Sequence, residues 1–95
     1  MEEKRLERIV TKPISSIHGN SRKFTSQFET GYPDRIILTP GGKTYWAEIK
    51  TTGKHPTPKQ LERHEQLRRM GYQVFVIDSI EALECCMKII ENERI

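Results

Sequence analysis

The sequence predicts an α/β domain whose mixed central sheet is flanked by helices, in the element order α-β-β-β-α-β-α. Three observations carry that expectation. Two runs rich in β-formers, RIILT at 35–39 and KTYWAEIK at 43–50, flank Pro40-Gly41-Gly42, the pattern of a hairpin. Gln73 to Asp78 (QVFVID) is almost wholly apolar, as expected for a strand buried on both faces. Segments of helical period lie before and after that strand, so one helix separates it from the hairpin and another follows it.

At the N-terminus, residues 2 to 11 carry Leu6, Ile9 and Val10 at helical spacing, and Glu2 and Glu3 suit the positive end of a helix dipole. Pro13, with no N–H to donate, is expected to end or kink that helix before His18-Gly19. Arg22 to Phe28 reads as a short strand and Glu29 to Pro33 as a loop leading into the hairpin. The next helix opens with Thr57 as N-cap, Pro58 at the first helical position and Gln60 completing a T-x-x-Q capping box. It should stop near Gly71, which can take the left-handed capping conformation. The last helix starts from Asp78 or Ser79, with Ile80, Leu83, Met87 and Ile90 along one stripe.

A chain of 95 residues with no internal repeat is expected to form a single domain over 1–95. With 35% hydrophobic and 31% charged residues its core is thin, and self-association as a homodimer or higher oligomer would supplement it. The net charge is only +3, but Lys54, Lys59, Arg63, Arg68 and Arg69 face only Glu62 and Glu65 in one segment. A locally basic face suits a polyanion, because cations that neutralise phosphates release condensed counterions; a solvated helix surface would show the same charges. Cys85 and Cys86 are adjacent in a helix and cannot readily bridge, and no Cys/His cluster has zinc spacing. With no membrane-length apolar run and no apolar signal core, a cytoplasmic protein without a membrane partner is expected.

The hairpin carries the chemistry. With a three-residue loop at 40–42, Thr39 faces Lys43 and Asp34 falls opposite Glu48. Directly opposed side chains have Cβ atoms roughly 4.5–5.5 Å apart, so two carboxylates there repel unless a cation lies between them. Mg²⁺ suits such a site, since it binds one or two carboxylates and keeps positions for water and phosphate. Lys50 shares the face of Glu48 by the two-residue strand period. A cation beside a phosphate, with a further positive group near the attacking water, is what phosphodiester hydrolysis requires. An ordinary turn aspartate and a charged strand end would leave the same letters, but not this register on an otherwise apolar hairpin.

These residues resemble the PD-(D/E)XK nuclease superfamily, and more closely its VRR-NUC (virus-type replication-repair nuclease) family. The matching features are Glu3 in the opening helix, Lys23-Phe24, Gly31-Tyr32-Pro33-Asp34-Arg35, Glu48-Ile49-Lys50, Thr57-Pro58-x-Gln60, Leu67-x-x-x-Gly71 and Asp78-Ser79. The resemblance implies a restriction-endonuclease-like core and an endonuclease of the stand-alone phage type. It would cleave DNA with Mg²⁺, or Mn²⁺ in its place. It implies Asp34, Glu48 and the Ile49 backbone carbonyl as metal ligands, with Lys50 at the nucleophile or phosphate. Glu3 and Gln60 would complete the catalytic set, Glu3 as a possible further ligand. Dimeric relatives acting on branched DNA, such as four-way (Holliday) junctions or flaps in DNA repair, set the expected substrate and partner. In a phage-encoded protein the compartment would be the host cytoplasm.

Each outer residue also has a plainer reading. Gln60 is explained by the capping box and Glu3 by the helix dipole, while His64 reads as a semi-buried packing residue. Lys23, Arg35, Lys54, Lys59 and Arg63 are candidate DNA-phosphate contacts or ordinary solvated charges. Tyr32 and Trp46 could stack on bases, Trp46 fitting a core better. A non-catalytic DNA-binding accessory that recognises junction shape is the alternative function, and an interaction module built on the acidic last helix is a third.

Overall fold

Around Pro40-Gly41-Gly42 the chain folds back on itself, with Gly41 and Gly42 at φ of 91° and 78°, open to glycine without a Cβ penalty. The computed structural model describes residues 3–27, 29–51 and 53–93. Its elements are α1 (Glu3–Ser16), β1 (Asn20–Lys23), β2 (Arg35–Thr39), β3 (Lys43–Ile49), α2 (Pro58–Arg69), β4 (Gln73–Ile77) and α3 (Ile80–Asn92). β2 and β3 pair antiparallel from Thr39↔Lys43 to Arg35↔Ala47, the predicted register. The sheet order is β1-β2-β3-β4, with β1 antiparallel to β2 and β4 parallel to β3. The parallel pair needs a crossover, which α2 supplies.

Strand periodicity divides the side chains between two unlike faces. Ile37, Tyr45, Ala47, Ile49 and Ile77 are buried against Leu6, Val10 and Ile14 of α1 and Leu83, Cys86 and Ile90 of α3. The opposite face, carrying Ile36, Trp46, Glu48 and Val74, is covered by α2 through His64 and Leu67, and it leaves Leu38 46% exposed. Glu93 ties the end of α3 to the sheet, accepting from Tyr45 Oη at 2.6 Å and Gln73 Nε2 at 2.7 Å.

Three expectations are corrected. Helix α1 runs through Pro13 to Ser16. Ile14 is fully buried and Ile17 nearly so; roughly 1.5–3 kcal/mol for each offsets the cost of about 3 kcal/mol for an interior proline. The first strand is Asn20–Lys23 rather than Arg22 to Phe28, and Phe28 lies outside the described residues. Gly19 starts it early: its N–H donates to the Ile14 carbonyl at 2.9 Å, and a Cβ there would lie 2.8 Å from the Leu38 carbonyl oxygen. Strand β4 lies at the sheet's edge yet has no exposed residue, with Val74 buried on one face and Ile77 on the other as expected, and Arg68 Nη2 satisfies the Val74 carbonyl at 2.9 Å. On α3 the core stripe is Leu83, Cys86 and Ile90, while Ile80 is 38% exposed. Cys86 joins the buried stripe with Met87 partly buried beside it, and burial pushes the Cys86 thiol up to about 12.

Candidate active site

Asp34 is delivered by a loop clamped onto α2. Gly31, at φ 89°, comes so close that a Cβ would lie 2.8 Å from the Lys59 carbonyl oxygen and 2.9 Å from Arg63 Cγ. Arg63 closes the clamp: its Nε donates to the Thr30 carbonyl at 3.1 Å, its Nη2 lies 3.3 Å from Glu29, and its guanidinium covers the Tyr32 ring at 5.0 Å. Pro33 is fully buried, and Asp34 follows immediately before β2. One step beyond Arg35↔Ala47, the last pair of the ladder, Asp34 lies near enough to Glu48 to feel its charge, and both line one cleft. The Asp34 Oδ1 accepts from the Ile49 N–H at 3.1 Å.

Burial and a neighbouring carboxylate set the electrostatics at this end of the hairpin. Burial, followed by the charge of Glu48, pushes the Asp34 carboxyl from 3.8 up to about 6, against the lowering effect of the Ile49 N–H. Glu48 is 2% exposed. Its Oε2 lies 3.8 Å from Lys50 Nζ, and its Oε1 lies 3.5 Å from Nε2 of the fully buried His64. Among the described residues, Glu48 Oε1 and both His64 ring nitrogens find no hydrogen-bond partner, although they are buried. A buried carboxylate oxygen with no donor among them, beside a second carboxylate whose pKa is raised, is a place a divalent cation fits.

Glu3, Asp34, Glu48, Ile49, Lys50 and Gln60 all line one cleft of about 520 Å³. The cleft opens at the carboxyl ends of the parallel strands β3 and β4, where open α/β sheets place their ligands. Among the described residues no three His, Cys, Asp or Glu side chains gather as a metal-binding cluster. Two carboxylates beside a backbone carbonyl suit Mg²⁺, which keeps its other positions for water and phosphate, better than they suit zinc. Gln60 serves the capping box in both directions, its Oε1 accepting from Thr57 N–H at 2.8 Å and its N–H donating to Thr57 Oγ1 at 3.1 Å. The NH₂ end of the side chain makes no hydrogen bond among the described residues.

The candidate phosphate contacts separate by position. Lys54 lines the cleft, and Lys59 is solvated 3.9 Å from Glu62. Lys23 is exposed at the end of β1, whereas Arg35 lines a different groove, along α1. Arg63 is committed to the loop. Tyr32 lines the cleft, but Trp46 packs edge-on to Phe24 at 5.0 Å and belongs to the aromatic layer beneath it. His55 and Thr51 also line the cleft, and sequence reasoning passed over both. The His64–Glu48 contact was likewise missed, since the two lie on different elements, sixteen positions apart, with no periodic signal linking them.

A mixed four-stranded sheet with neighbouring carboxylates and a lysine at one end of its central hairpin is a restriction-endonuclease-like nuclease architecture. No protein-family model matches the chain. It is 38% identical over 79 residues to "Putative nuclease p44" of Acyrthosiphon pisum secondary endosymbiont phage 1, spanning 83% of this chain and 85% of that protein. A solved structure described as a VRR_NUC domain aligns over 97% of both chains with TM-score 0.83 and 29% identity. A second, described as a VRR_NUC domain protein, shares the fold with TM-score 0.71 at 22% identity, over 93% of this chain and 86% of that one. The chain belongs to the VRR-NUC family of nucleases.

Proposed function

We propose that the protein is a divalent-metal-dependent DNA endonuclease, with Asp34, Glu48 and Lys50 as its catalytic set. The observation that carries this reading is the neighbouring pair Asp34 and Glu48 at a cleft, with the Asp34 carboxyl raised to about 6 and Lys50 Nζ 3.8 Å from Glu48. Asp34, Glu48 and the Ile49 carbonyl would hold Mg²⁺, or Mn²⁺ in its place, and Glu3 stands at the mouth as a further ligand. A bound divalent cation would neutralise phosphate charge and lower the pKa of a water at the site. The water oxygen bonds to phosphorus as the bond to the leaving sugar oxygen breaks; the water loses a proton and the leaving oxygen gains one. Lys50 places its ammonium where negative charge grows on the phosphate. The Ile49 N–H fixes the Asp34 carboxylate, and the Gln60 NH₂ is placed to orient water or phosphate.

Branched DNA, a four-way junction or a flap, is the substrate proposed, with a two-fold homodimer making paired cuts. An apolar trough between α1 and α3 that includes Ile9, Pro13, Ile80, Leu83 and Met87 supports self-association. No helix among the described residues is long and apolar enough to cross a membrane.

The test is cleavage of a labelled four-way junction, alongside linear, nicked and flap DNA, with Mg²⁺ and a solution mass measurement. Lys50→Ala and Asp34→Ala should abolish cutting while circular dichroism stays unchanged. Undiminished cutting by Asp34→Ala sinks the assignment, and salt-dependent junction binding without cleavage in any divalent ion would favour the accessory reading.

A further inference from the structure

Beside the cleft runs a second groove of about 460 Å³, lined by Lys4, Glu7, Arg8, Thr11, Lys12 and Arg35. Four cations meet one carboxylate there. Lys4, Arg8 and Lys12 are exposed at four-residue spacing, so they share one flank of α1, away from the buried Leu6, Val10 and Ile14. Among the described residues no carboxylate lies within ion-pair distance of any of the four cations. Arg35 comes from the sheet, its Nη2 donating to Thr11 Oγ1 at 3.1 Å and its buried Nε finding no partner among the described residues.

An ordinary solvated helix offsets its charges across a turn, as α2 does with Glu65 and Arg69 at 3.7 Å. Like charges at that spacing destabilise a helix by a few tenths of a kcal/mol per pair. Helix α1 keeps three in a row, which suits a polyanion along its length. Groove and cleft are neighbours along the chain at two points: Glu3 and Asp34 line the cleft, and the residues next to them, Lys4 and Arg35, line the groove.

We propose that this groove is the track for the DNA backbone leaving the active cleft, with Lys4, Arg8, Lys12 and Arg35 each meeting a phosphate. The identity of the polyanion rests on the nuclease reading. From Lys4 to Lys12 the helix rises about 12 Å at 1.5 Å per residue, which matches three to four nucleotides at roughly 3.4 Å each along a strand. The groove therefore extends the footprint by about that length on one side of the cut.

The test is equilibrium binding of labelled duplexes of stepped length in EDTA, followed by fluorescence anisotropy over a salt series. Lys4→Ala/Arg8→Ala/Lys12→Ala should bind roughly tenfold or more weaker at 0.1 M salt, and its slope of log K against log salt should be shallower by about two to three. Trimming three to four base pairs from one end should erase the difference from wild type. Arg8→Ala alone should lower the slope by about one, which keeps the test open if the triple variant does not fold, and Lys88→Ala on α3 should not change it. An unchanged slope in the folded triple variant, or no DNA binding by wild type, overturns the proposal. The nuclease reading fails separately, by absence of wild-type cleavage in divalent ions, while the difference in binding slope would remain.

Discussion

Asp34→Asn is expected to stabilise the metal-free protein above neutral pH, although most substitutions destabilise. The carboxyl is raised from 3.8 to about 6, chiefly by burial and then by Glu48. The folded state thus holds this proton more tightly than the unfolded chain does. The stability linked to it is complete below about pH 3.8 and is lost as pH rises through about 6, above which the ionised group opposes folding. Two pH units at about 1.36 kcal/mol each set a ceiling near 3 kcal/mol. Because the carboxyl opens onto the cleft, solvent screening reduces that to about 1–2 kcal/mol. At about 4–8 °C per kcal/mol in a domain of this size, asparagine should raise Tm by roughly 4–16 °C at pH 8. Its side-chain oxygen can still accept from the Ile49 N–H, now 3.1 Å from Oδ1, so the backbone geometry is kept. Circular dichroism melts of both proteins in EDTA measure the gap at pH 8 and again near pH 4, where it should close. Adding Mg²⁺ at pH 8 should narrow it, since the cation favours the ionised form. A variant melting below wild type at pH 8, or a gap independent of pH, refutes the electrostatic account.

Three further outcomes follow from the site. Gly31→Ala should lose about 2 kcal/mol or more, from a left-handed φ and a Cβ forced against the Lys59 carbonyl; an unshifted melt would show that the loop does not pack this closely. Arg63→Ala should lower Tm by roughly 5 °C through loss of its bond to Thr30 and its cover of Tyr32, whereas Lys59→Ala should leave it unchanged; if Arg63 served only phosphate, the salt dependence of DNA binding would move instead. Gln60→Glu keeps an acceptor for the Thr57 N–H and so should melt as wild type does, while cleavage falls roughly tenfold or more for want of the NH₂ donor. Equal cleavage by that variant would leave Gln60 a capping residue alone.

What was legible in the sequence was local. The loop at 40–42 fixes the pairing of 35–39 with 43–47, and pairing brings Asp34 near Glu48, so short-range turn chemistry delivers the centre of the site. Thr57, Pro58 and Gln60 announce α2 in the same way, because every partner in a capping box lies within three residues. What was not legible depends on contacts between distant segments. Helix α1 continues past Pro13 because Ile14 and Ile17 reach the core, a gain that appears only once the sheet exists. Arg63 looked like a phosphate contact because nothing in its neighbourhood of the chain marks Thr30 as its partner, 33 residues away. The basic flank of α1 was divided by its own helical spacing, and Arg35, which completes the groove, comes from a strand.

The two faces of the sheet separate stability from chemistry. Against α1 and α3 the layer is apolar and closed, with Ile37, Ala47, Ile77 and Ile90 fully buried. Against α2 the layer holds Glu48 Oε1 and the His64 ring nitrogens buried with no hydrogen-bond partner among the described residues, and at its edge Asp34 with a raised pKa. Buried polar groups left unpaired cost on the order of 1–3 kcal/mol each, so the second face is held against its own preference, and the apolar face offsets that cost. A cation at the carboxylates would relieve the same imbalance, which makes metal binding and folding linked equilibria. Core changes on the first face should therefore shift Tm with and without metal alike, whereas changes at Asp34 or Glu48 should alter the difference between the two melts. That difference, rather than either melting temperature alone, reports on the site.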